Sequence, residues 1–316
     1  MSIINRITNR LVGTLVKNFR INKKVLRGEK ILNVEESQKL ISDLIESKSA
    51  FLVSRFGTTE SQVFLDYNKG TIDMRSVLNL WKLSGVFPPT IEVAELFAKL
   101  LIDVSKVIDV CGIRSAWYER LFWELENSIL GKLQIQPKLI NIESLSPIGI
   151  SNSWVSSLGG LNVLVIHPFA DSIKSQYARR HELFTDSQWL PDFNLTVLKS
   201  VQSLSGNSSD TGFKDWFQAL EKMKSEICKV EFDLALIGAG AYGIFLGAHI
   251  KNLGKQAIHV GGALQLFFGI KGSRWTDPNS PEYVQDSSRS SWVWPNSNEI
   301  PNSFMEVEMG AYWKNT

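Results

Sequence analysis

The sequence has few cysteines and no long hydrophobic run. Its two cysteines, Cys111 and Cys228, cannot form a disulfide framework, and no group of Cys and His has the spacing of a zinc site. No apolar run approaches the roughly 18 residues that a transmembrane helix needs, so none is predicted. The G-x-S-x-G, Walker A, H-E-x-x-H and D-x-D motifs are also absent. Their absence argues against nucleophilic hydrolysis and kinase chemistry.

The composition is that of an ordinary soluble globular protein, with 44% hydrophobic and 21% charged residues. A length of 316 residues fits one large domain or two smaller ones. The net charge of +2 is unevenly distributed, because residues 1–28 have seven basic side chains and no acidic one, whereas the remainder has a charge of −5. A body with that charge is a poor partner for nucleic acid, since neutralising phosphates needs a basic surface.

The amino-terminal segment has the pattern of a basic amphipathic helix. Apolar residues recur at three- and four-residue steps from Ile4 to Phe19, and Arg6, Arg10 and Lys17 fall on another face. Such a helix can lie on an anionic membrane surface or dock on the protein body, and the sequence leaves both open. The segment lacks the features of a secretory signal. We therefore expect a cytoplasmic protein, with peripheral contact to the inner face of the membrane as one of the two alternatives.

Strand and helix patterns alternate along most of the chain. The strands are continuous apolar runs, which predicts a mostly parallel sheet with helices on both faces, a Rossmann-like α/β fold. Helices are expected to begin near residues 34, 58, 91, 118, 172, 213 and 242. The predicted strands are 50–56, 107–110, 139–142, 162–169, 195–201, 232–237 and 257–260.

This alternation stops beyond Trp275, where Pro, Ser and Asn dominate an aromatic-rich carboxy-terminal tail. We expect the tail to pack on the body, although its aromatic rings could also stack on a sugar or close a lid. The predicted parts are an extension (1–29), an α/β domain (30–275, with 30–150 and 151–275 as its two halves if it divides) and the tail (276–316).

A glycine-rich turn lies between a predicted strand and a predicted helix. Gly238-Ala239-Gly240-Ala241-Tyr242-Gly243 fits G-x-G-x-x-G, which allows a tight turn and brings backbone N–H groups close to a phosphate. The alternative is that these glycines serve packing only. We expect Gly238, Gly240, Tyr242 and Gly243 to line a ligand site.

The ligand of this turn is not expected to be NAD. A dinucleotide site needs an acidic residue about 20 positions further on, to hold the ribose hydroxyls. No Asp or Glu occurs between Gly238 and Thr276. A phosphate-bearing ligand other than NAD stays open, and His259, Gly261 and Gly262, at the end of the next strand, are candidates to line its site.

Polar residues also follow two other predicted strands. In open α/β sheets ligands bind at the carboxyl ends of strands, so these residues are expected to converge on the glycine turn. Arg55 could hold a diphosphate or form an ion pair with Glu60. His167 could deprotonate a hydroxyl or be a hydrogen-bonded core histidine. Glu60 and then Asp171 are the further candidate bases, and Asp171 could instead be the N-cap of the helix that follows.

Together these segments resemble a known enzyme family. Ser54-Arg55-Phe56-Gly57-Thr58-Thr59-Glu60, the glycine turn and Ile258-His259-Val260-Gly261-Gly262 are similar to motifs of bacterial glycosyltransferases of the GT-D fold, which act in surface polysaccharide and glycoprotein assembly. The resemblance spans roughly residues 50–275. The family's opening motif is similar to Arg-Phe-Gly-Asp-Gly-Glu, whose Asp-x-Glu pair is associated with a divalent metal and the nucleotide sugar. Thr58 stands here in place of that Asp.

The resemblance implies transfer of a sugar from a nucleotide-diphosphate donor to a saccharide or lipid-linked acceptor. It implies that Arg55, Gly57 and the glycine turn contact the donor. It also implies Glu60 as the ligand of Mn²⁺ or Mg²⁺, for which a single carboxylate is a weak site. Two alternatives remain: a non-catalytic sugar-nucleotide-binding or scaffold component, and another Rossmann-type enzyme that uses a phosphate-bearing small molecule.

Overall fold

The helix predicted at the amino terminus lies outside the part of the chain that the structure describes, together with Arg6, Arg10 and Lys17. Among the described helices, none is long and apolar enough to cross a bilayer. The computed structural model describes residues 25–114, 120–150, 152–204, 211–280 and 282–314.

The described residues form one nine-stranded sheet. Eight of the strands are parallel to one another, and only the two-residue β1 runs antiparallel, at one edge. The strands are β1 (Val25–Leu26), β2 (Glu29–Leu32), β3 (Phe51–Arg55), β4 (Val110–Ile113), β5 (Lys138–Asn141), β6 (Asn162–His167), β7 (Asn194–Lys199), β8 (Leu234–Ile237) and β9 (Gln256–His259). Their order across the sheet is β1-β2-β5-β4-β3-β9-β8-β6-β7.

Helices cover both faces of this sheet, which confirms the predicted α/β class. In the described residues they are α1 (Val34–Glu46), α2 (Thr58–Lys69), α3 (Met74–Ser84), α4 (Ile91–Ser105), α5 (Arg120–Leu133), α6 (Ala170–Tyr177), α7 (Trp216–Ile227), α8 (Tyr242–Asn252) and the one-turn α9 (Ser273–Thr276). Short 3₁₀ turns lie between them, among them Gly262–Phe268.

Buried side chains form one apolar layer on each face of the sheet. Alternate residues of β3 point to opposite layers: Leu52 belongs to one, and Phe51 and Val53 to the other. Both faces of the sheet are therefore shielded from water, which explains why the strands appear in the sequence as continuous apolar runs. Helices α2, α4, α7 and α8 cover the first layer, and the second is covered by α1, α6 and the tail.

Local signals set several helix ends, and the first of them was predicted. Asn33 and Glu36 form a reciprocal capping box at the start of α1. Glycines in the left-handed conformation end α2 and α3, Gly70 at φ 66° and Gly85 at φ 72°.

Two predicted elements have different bounds in the structure, and one helix was not predicted. Strand β4 begins at Val110, where 107–110 was predicted, because 107 and 108 belong to the turn after α4. Helix α6 starts at Ala170 and ends at Tyr177, well before the expected end near residue 183. Helix α3 is absent from the prediction, although Asp73 caps it by accepting a hydrogen bond from the Ser76 amide.

The tail packs against the second layer through buried aromatic side chains, Trp292 and Trp313 among them. A buried carboxylate also fastens it. Glu299 accepts hydrogen bonds from the amides of Asp171 and Ser172, at 2.8 and 3.2 Å, and from the Ser172 hydroxyl. A negative charge at this position satisfies the free amides of the first turn of α6 and interacts favourably with the helix dipole. The predicted N-cap role of Asp171 is therefore wrong, because Glu299 supplies the cap.

Candidate functional site

The candidate site lies where β3 and β9 are neighbours in the middle of the sheet. The chain leaves β3 into α2, which covers the first apolar layer, and leaves β9 into the 3₁₀ turn Gly262–Phe268, whose aromatic rings belong to the second layer. Such a divergence opens a crevice at the carboxyl ends of parallel strands. Arg55, His167 and the glycine turn converge there as predicted, and two cavities occupy the crevice.

We call the larger one the arginine cavity. It has a volume of about 550 Å³ and is lined by Arg55, Arg114 and Arg274 together with Trp275 and Tyr312. The smaller one, the glycine-turn cavity, has a volume of about 100 Å³ and is lined by His167, Phe169, Gly238, Gly240, Gln265, Glu308 and Trp313, among others. Gly262 and Tyr312 line both cavities, so the Tyr312 ring stands at their boundary.

Arg55 is a half-buried cation at the wall of the arginine cavity. Its Nε is buried without a hydrogen-bond partner, and among the described residues its guanidinium forms no ion pair. Burial, and secondarily the charge of Arg114, lower the pKa of Arg55 below its usual value. A Cβ added at Gly261 would lie 2.7 Å from Arg55 Nη1, and Gly261 has a φ of +81°. Only glycine suits that position, both for its backbone and for the space that Arg55 needs.

Arg114 continues the end of β4 and is held in place by Glu126. The Glu126 carboxylate accepts a hydrogen bond from Arg114 Nη1 at 2.8 Å and another from the Arg114 amide at 2.9 Å. Glu126 is almost completely buried, and this burial raises its pKa to about 7 despite the opposing effect of Arg114. Its role is to position Arg114 at the cavity wall.

The outer wall of the arginine cavity combines a cation with aromatic rings. The Arg274 guanidinium lies 5.7 Å from the ring centre of Trp275 and 5.3 Å from that of Tyr312, within the range of a cation–π contact. Arg274 also forms an ion pair with Glu308, which lines the glycine-turn cavity. Glu308 and Met309 both have positive φ, at 47° and 58°. Such conformations cost free energy and concentrate at functional sites.

The glycine turn offers fewer free amides than its motif suggests. The Gly238 amide donates to Ile166 O at 2.9 Å, and the amides of Tyr242 and Gly243 are bonded within the turn. In the described part of the chain, the amides of Ala239 and Gly240 have no acceptor. The prediction that a phosphate rests on amides beginning at residue 238 therefore needs correction, because that first amide belongs to the sheet.

The Tyr242 side chain does not reach either of these two cavities. Its ring stacks on Trp216 with the centres 4.6 Å apart, and its hydroxyl lies 3.3 Å from Ser203 Oγ. Burial raises the pKa of this phenol. The sequence assigned Tyr242 to ligand binding because it lies within the motif, but the side chain is part of the first apolar layer.

His167 lines the glycine-turn cavity as a neutral ring. Its Nδ1 accepts a hydrogen bond from the Phe169 amide at 3.0 Å, and burial lowers its pKa to about 3. The neutral ring with Nδ1 as acceptor has its proton on Nε2. His167 can therefore donate a hydrogen bond to a ligand, but this tautomer cannot take a proton from a hydroxyl. The geometry contradicts the predicted role as general base.

His259 lies beneath the site and not on its surface. Its Nδ1 is 3.1 Å from Ser54 Oγ, and its ring is so close to Gly243 that any Cβ there would overlap it. Burial, with a smaller contribution from Arg55, lowers its pKa to about 3. We infer that His259 joins β3, β9 and the start of α8, and so positions Arg55 and the glycine turn.

The predicted carboxylates are not gathered at the cavities. The Glu60 side chain folds back over Gly57, and Asp171 is exposed at the start of α6. Neither is among the residues that line the arginine or the glycine-turn cavity. Within the described residues no group of three or more His, Cys, Asp or Glu could hold a metal ion. The residues present therefore do not fit the Mn²⁺ or Mg²⁺ site that the resemblance implies.

Sequence comparisons are negative for this chain: no protein-family model and no curated protein matches it. Two solved structures are similar to it. One is described by the statement that the highly conserved domain of unknown function 1792 has a distinct glycosyltransferase fold; it is 16% identical, with a TM-score of 0.45. The other is a selenomethionine-substituted structure of domain of unknown function 1792, 15% identical, with a TM-score of 0.42. Each match covers 84% of this chain and 94% of the other.

The sequence did not single out Arg114, Arg274 and Glu308, which line the cavities, or Glu126, which holds Arg114. For Arg114 a signal was present, because it follows an apolar strand directly, as Arg55 does. Placing β4 three residues too early hid this parallel. Arg274 and Glu308 lie 34 residues apart, and their pairing depends on the path of the tail. No local sequence pattern predicts this ion pair.

Proposed function

We propose that the protein is a glycosyltransferase that moves a sugar from a nucleotide-diphosphate donor to a hydroxyl of a saccharide or lipid-linked acceptor in surface polysaccharide assembly. The observation that supports it is Arg55, a half-buried guanidinium that faces a cavity of about 550 Å³ and whose buried Nε has no hydrogen-bond partner. A partly buried cation is costly unless a negative charge compensates it, and a diphosphate would do so. The motif resemblance supports the same function.

In this proposal the diphosphate lies in the arginine cavity. Arg55 and Arg114 offset its charge, which grows on the leaving group as the bond to the sugar breaks. The nucleoside lies along Trp275, Tyr312 and Arg274, since planar rings and a guanidinium stack well on a base. The sugar points toward the glycine-turn cavity, where the free Gly240 amide and His167 Nε2–H can donate hydrogen bonds. Because the carboxylates present do not fit a metal, no step depends on one.

The acceptor hydroxyl needs a base, and we propose Glu308 for that role. It lines the glycine-turn cavity beside His167, Gly238 and Gly240. Its ion pair with Arg274 fixes the carboxylate at the boundary between the two cavities. Glu308→Gln should reduce turnover of donor and acceptor by 10²-fold or more while leaving donor affinity within about threefold. Glu306→Gln, an exposed residue two positions away that lines neither cavity, is the matched control.

A sugar-nucleotide-binding component without turnover is the second candidate. It is favoured because His167 Nδ1 already accepts a hydrogen bond from the Phe169 amide, and because the other two predicted bases, Glu60 and Asp171, line neither cavity. A donor that binds with no product formed, in the wild type as in Glu308→Gln, would select this candidate over the enzyme.

The test is a thermal-shift panel of UDP-, GDP- and dTDP-linked hexoses, with and without Mn²⁺, followed by mass spectrometry of donor turnover. We expect one nucleotide class to raise the melting temperature through binding to the folded state. A shift with NAD and with none of the nucleotide sugars would contradict the proposal. The Mn²⁺ arm tests the metal that Glu60 was predicted to hold.

Peripheral membrane contact through residues 1–28 is part of the same proposal, because a lipid-linked acceptor lies at the cytoplasmic face of a membrane. Its support is the charge and periodicity of the sequence alone. Flotation with anionic liposomes tests it on the full chain. Arg6, Arg10 and Lys17 changed together to Gln should weaken flotation, and equal flotation of the two proteins would remove membrane contact from the proposal.

A further inference from the structure

A third cavity lies between α2 and α3, and the proposed function leaves it unused. It has a volume of about 510 Å³, within the range of ligand pockets. We call it the polar groove, defined by six of its lining residues: Thr58, Thr59, Gln62, Asp66, Arg75 and Asn79. Its wall is hydrophilic, with Val63 and Leu83 as the apolar side chains among the described lining residues.

The polar groove lies next to the candidate site. It begins at the first turn of α2, three residues after Arg55, and so opens at the same edge of the sheet. Leu83, near the end of α3, lines both the groove and the glycine-turn cavity. The groove and the cavity that Glu308 lines are therefore neighbours, with Leu83 between them.

The groove is built around one ordered carboxylate. Asp66 accepts a hydrogen bond from Gln62 Nε2 at 2.8 Å and another from the Ser76 hydroxyl at 2.7 Å. These bonds join α2 to α3 and fix both walls. In the part of the chain that is described, the side-chain amide of Asn79 and the guanidinium of Arg75 have no hydrogen-bond partner. The groove thus offers hydrogen-bond donors and acceptors to a ligand, and the bonds of Asp66 already hold its two walls together.

These polar side chains favour a neutral saccharide over a phosphate or a nucleobase as the ligand of the groove. Sugar hydroxyls both donate and accept, and they pair with the amides, carboxylates and guanidinium found here. A phosphate is disfavoured, because Asp66 and Asp73 outnumber the one cation among the lining residues, Arg75. A nucleobase is disfavoured as well, since no aromatic ring is among those residues.

We propose that the polar groove binds the saccharide end of the acceptor and presents its hydroxyl to the glycine-turn cavity. Its acceptor role rests on the proposed function, whereas saccharide binding in the groove does not. Asn79 and Arg75 are the residues that contact the sugar, and Asp66 positions Gln62 and the wall.

The experiment measures glycan binding by the full chain in the absence of nucleotide. A glycan array finds the bound saccharides, and calorimetry measures the affinity for the best of them. Asn79→Ala and Arg75→Gln should each weaken that affinity about tenfold. The matched controls are Asn68→Ala on α2 and Lys82→Gln on α3, two exposed residues that do not line the groove; both should keep the wild-type affinity.

Each other outcome overturns the inference. These outcomes are no bound glycan on the array, equal affinity of Asn79→Ala and Asn68→Ala, and competition by inorganic phosphate at millimolar concentration. The melting temperatures of all four variants are measured beside the affinities, so that a loss of folding is recognised. If glycans bind in the groove while no nucleotide sugar binds, the proposed function fails and the groove stands as a saccharide site. If nucleotide-sugar donors bind and glycans do not, saccharide binding in the polar groove is contradicted and the proposed function stands.

Discussion

The two cavities on either side of Tyr312 differ in charge and in origin. The glycine-turn cavity is small, and its histidine is neutral because it is buried. The arginine cavity is larger and has three guanidinium groups on its wall. The motif that identifies a phosphate site in the sequence belongs to the first cavity, whereas the charge that a diphosphate needs lies in the second. In this chain the glycine-rich turn lies beside the cationic cavity, but it does not itself supply the positive charge that a diphosphate needs.

The largest effect that would sharpen this comparison is expected for Arg55→Gln. If the diphosphate binds in the arginine cavity, loss of this charge should weaken donor affinity by about 100-fold or more. The free energy of unfolding should change little, since Arg55 is half-buried, forms no ion pair among the described residues, and feels Glu60 and Glu126 only through space. Calorimetric titration with the donor measures the first effect, and urea unfolding the second.

The control for this variant is Arg179→Gln, at an exposed arginine that is paired with Glu182. It should leave donor affinity unchanged. If Arg55→Gln binds donor as tightly as this control does, the diphosphate does not rest in the arginine cavity.

The glycine turn is expected to matter through packing more than through its amides. A Cβ at Gly238 would lie 2.6 Å from His167 Cδ2 and 2.8 Å from Gly261 O, and the backbone oxygen cannot easily move. Gly238→Ala should therefore lower the free energy of unfolding by about 1–3 kcal/mol. Gly159→Ala, where the nearest atom would be at 3.5 Å, should stay within about 0.5 kcal/mol of wild type. Equal urea midpoints for the two variants would contradict this account.

The buried histidines and the buried Glu126 should make the stability of the protein depend on pH in opposite directions. His167 and His259 have pKa values lowered from 6.5 to about 3, so the stability gained by keeping them neutral is present above pH 6.5 and is lost as the pH falls toward 3. Glu126 has a pKa raised from 4.5 to about 7, so its contribution is present below pH 4.5 and is lost as the pH rises through 7.

Chemical denaturation between pH 4 and pH 9 measures this difference. We expect His259→Asn to flatten the acid side of the stability profile and Glu126→Gln to flatten the neutral-to-alkaline side. A Glu126→Gln profile with the wild-type slope above pH 5 would show that burial does not perturb this carboxyl as described.

The smallest effect is expected for Asp171→Asn, which separates the predicted cap from the observed one. Asp171 is exposed and lines neither cavity, so its change should alter stability by less than about 0.5 kcal/mol and donor turnover by less than twofold. Glu299→Gln, the matched change at the buried cap, should cost about 1–2 kcal/mol. Thermal unfolding of the two variants side by side checks the pair, and the reverse order of stabilities would contradict the assignment.

Much of the fold follows from local sequence. The apolar runs of β3, β6 and β8 are continuous because both faces of the sheet are buried, and this continuity identifies a parallel sheet. Helix α1 begins where Asn33 and Glu36 predict, because a capping box is a local interaction. The start of helix α6 was predicted two residues late, since its first turn is completed by Glu299, more than 120 residues away.

The sequence by itself determined the α/β class, the convergence of Arg55, His167 and the glycine turn at one edge of the sheet, and the absence of the acid that NAD requires. These follow from strand order along the chain and from residue types at fixed short spacings. Only the tertiary structure decided which groups face the two cavities. In the structure the Tyr242 side chain packs in the apolar layer, and the His259 ring lies against Ser54. The Gly238 amide forms a hydrogen bond within the sheet. Three residues that the sequence did not single out line the cavities: Arg114, Arg274 and Glu308. Side-chain direction, protonation and ion pairing depend on neighbours that are distant in sequence, and folding alone brings them together.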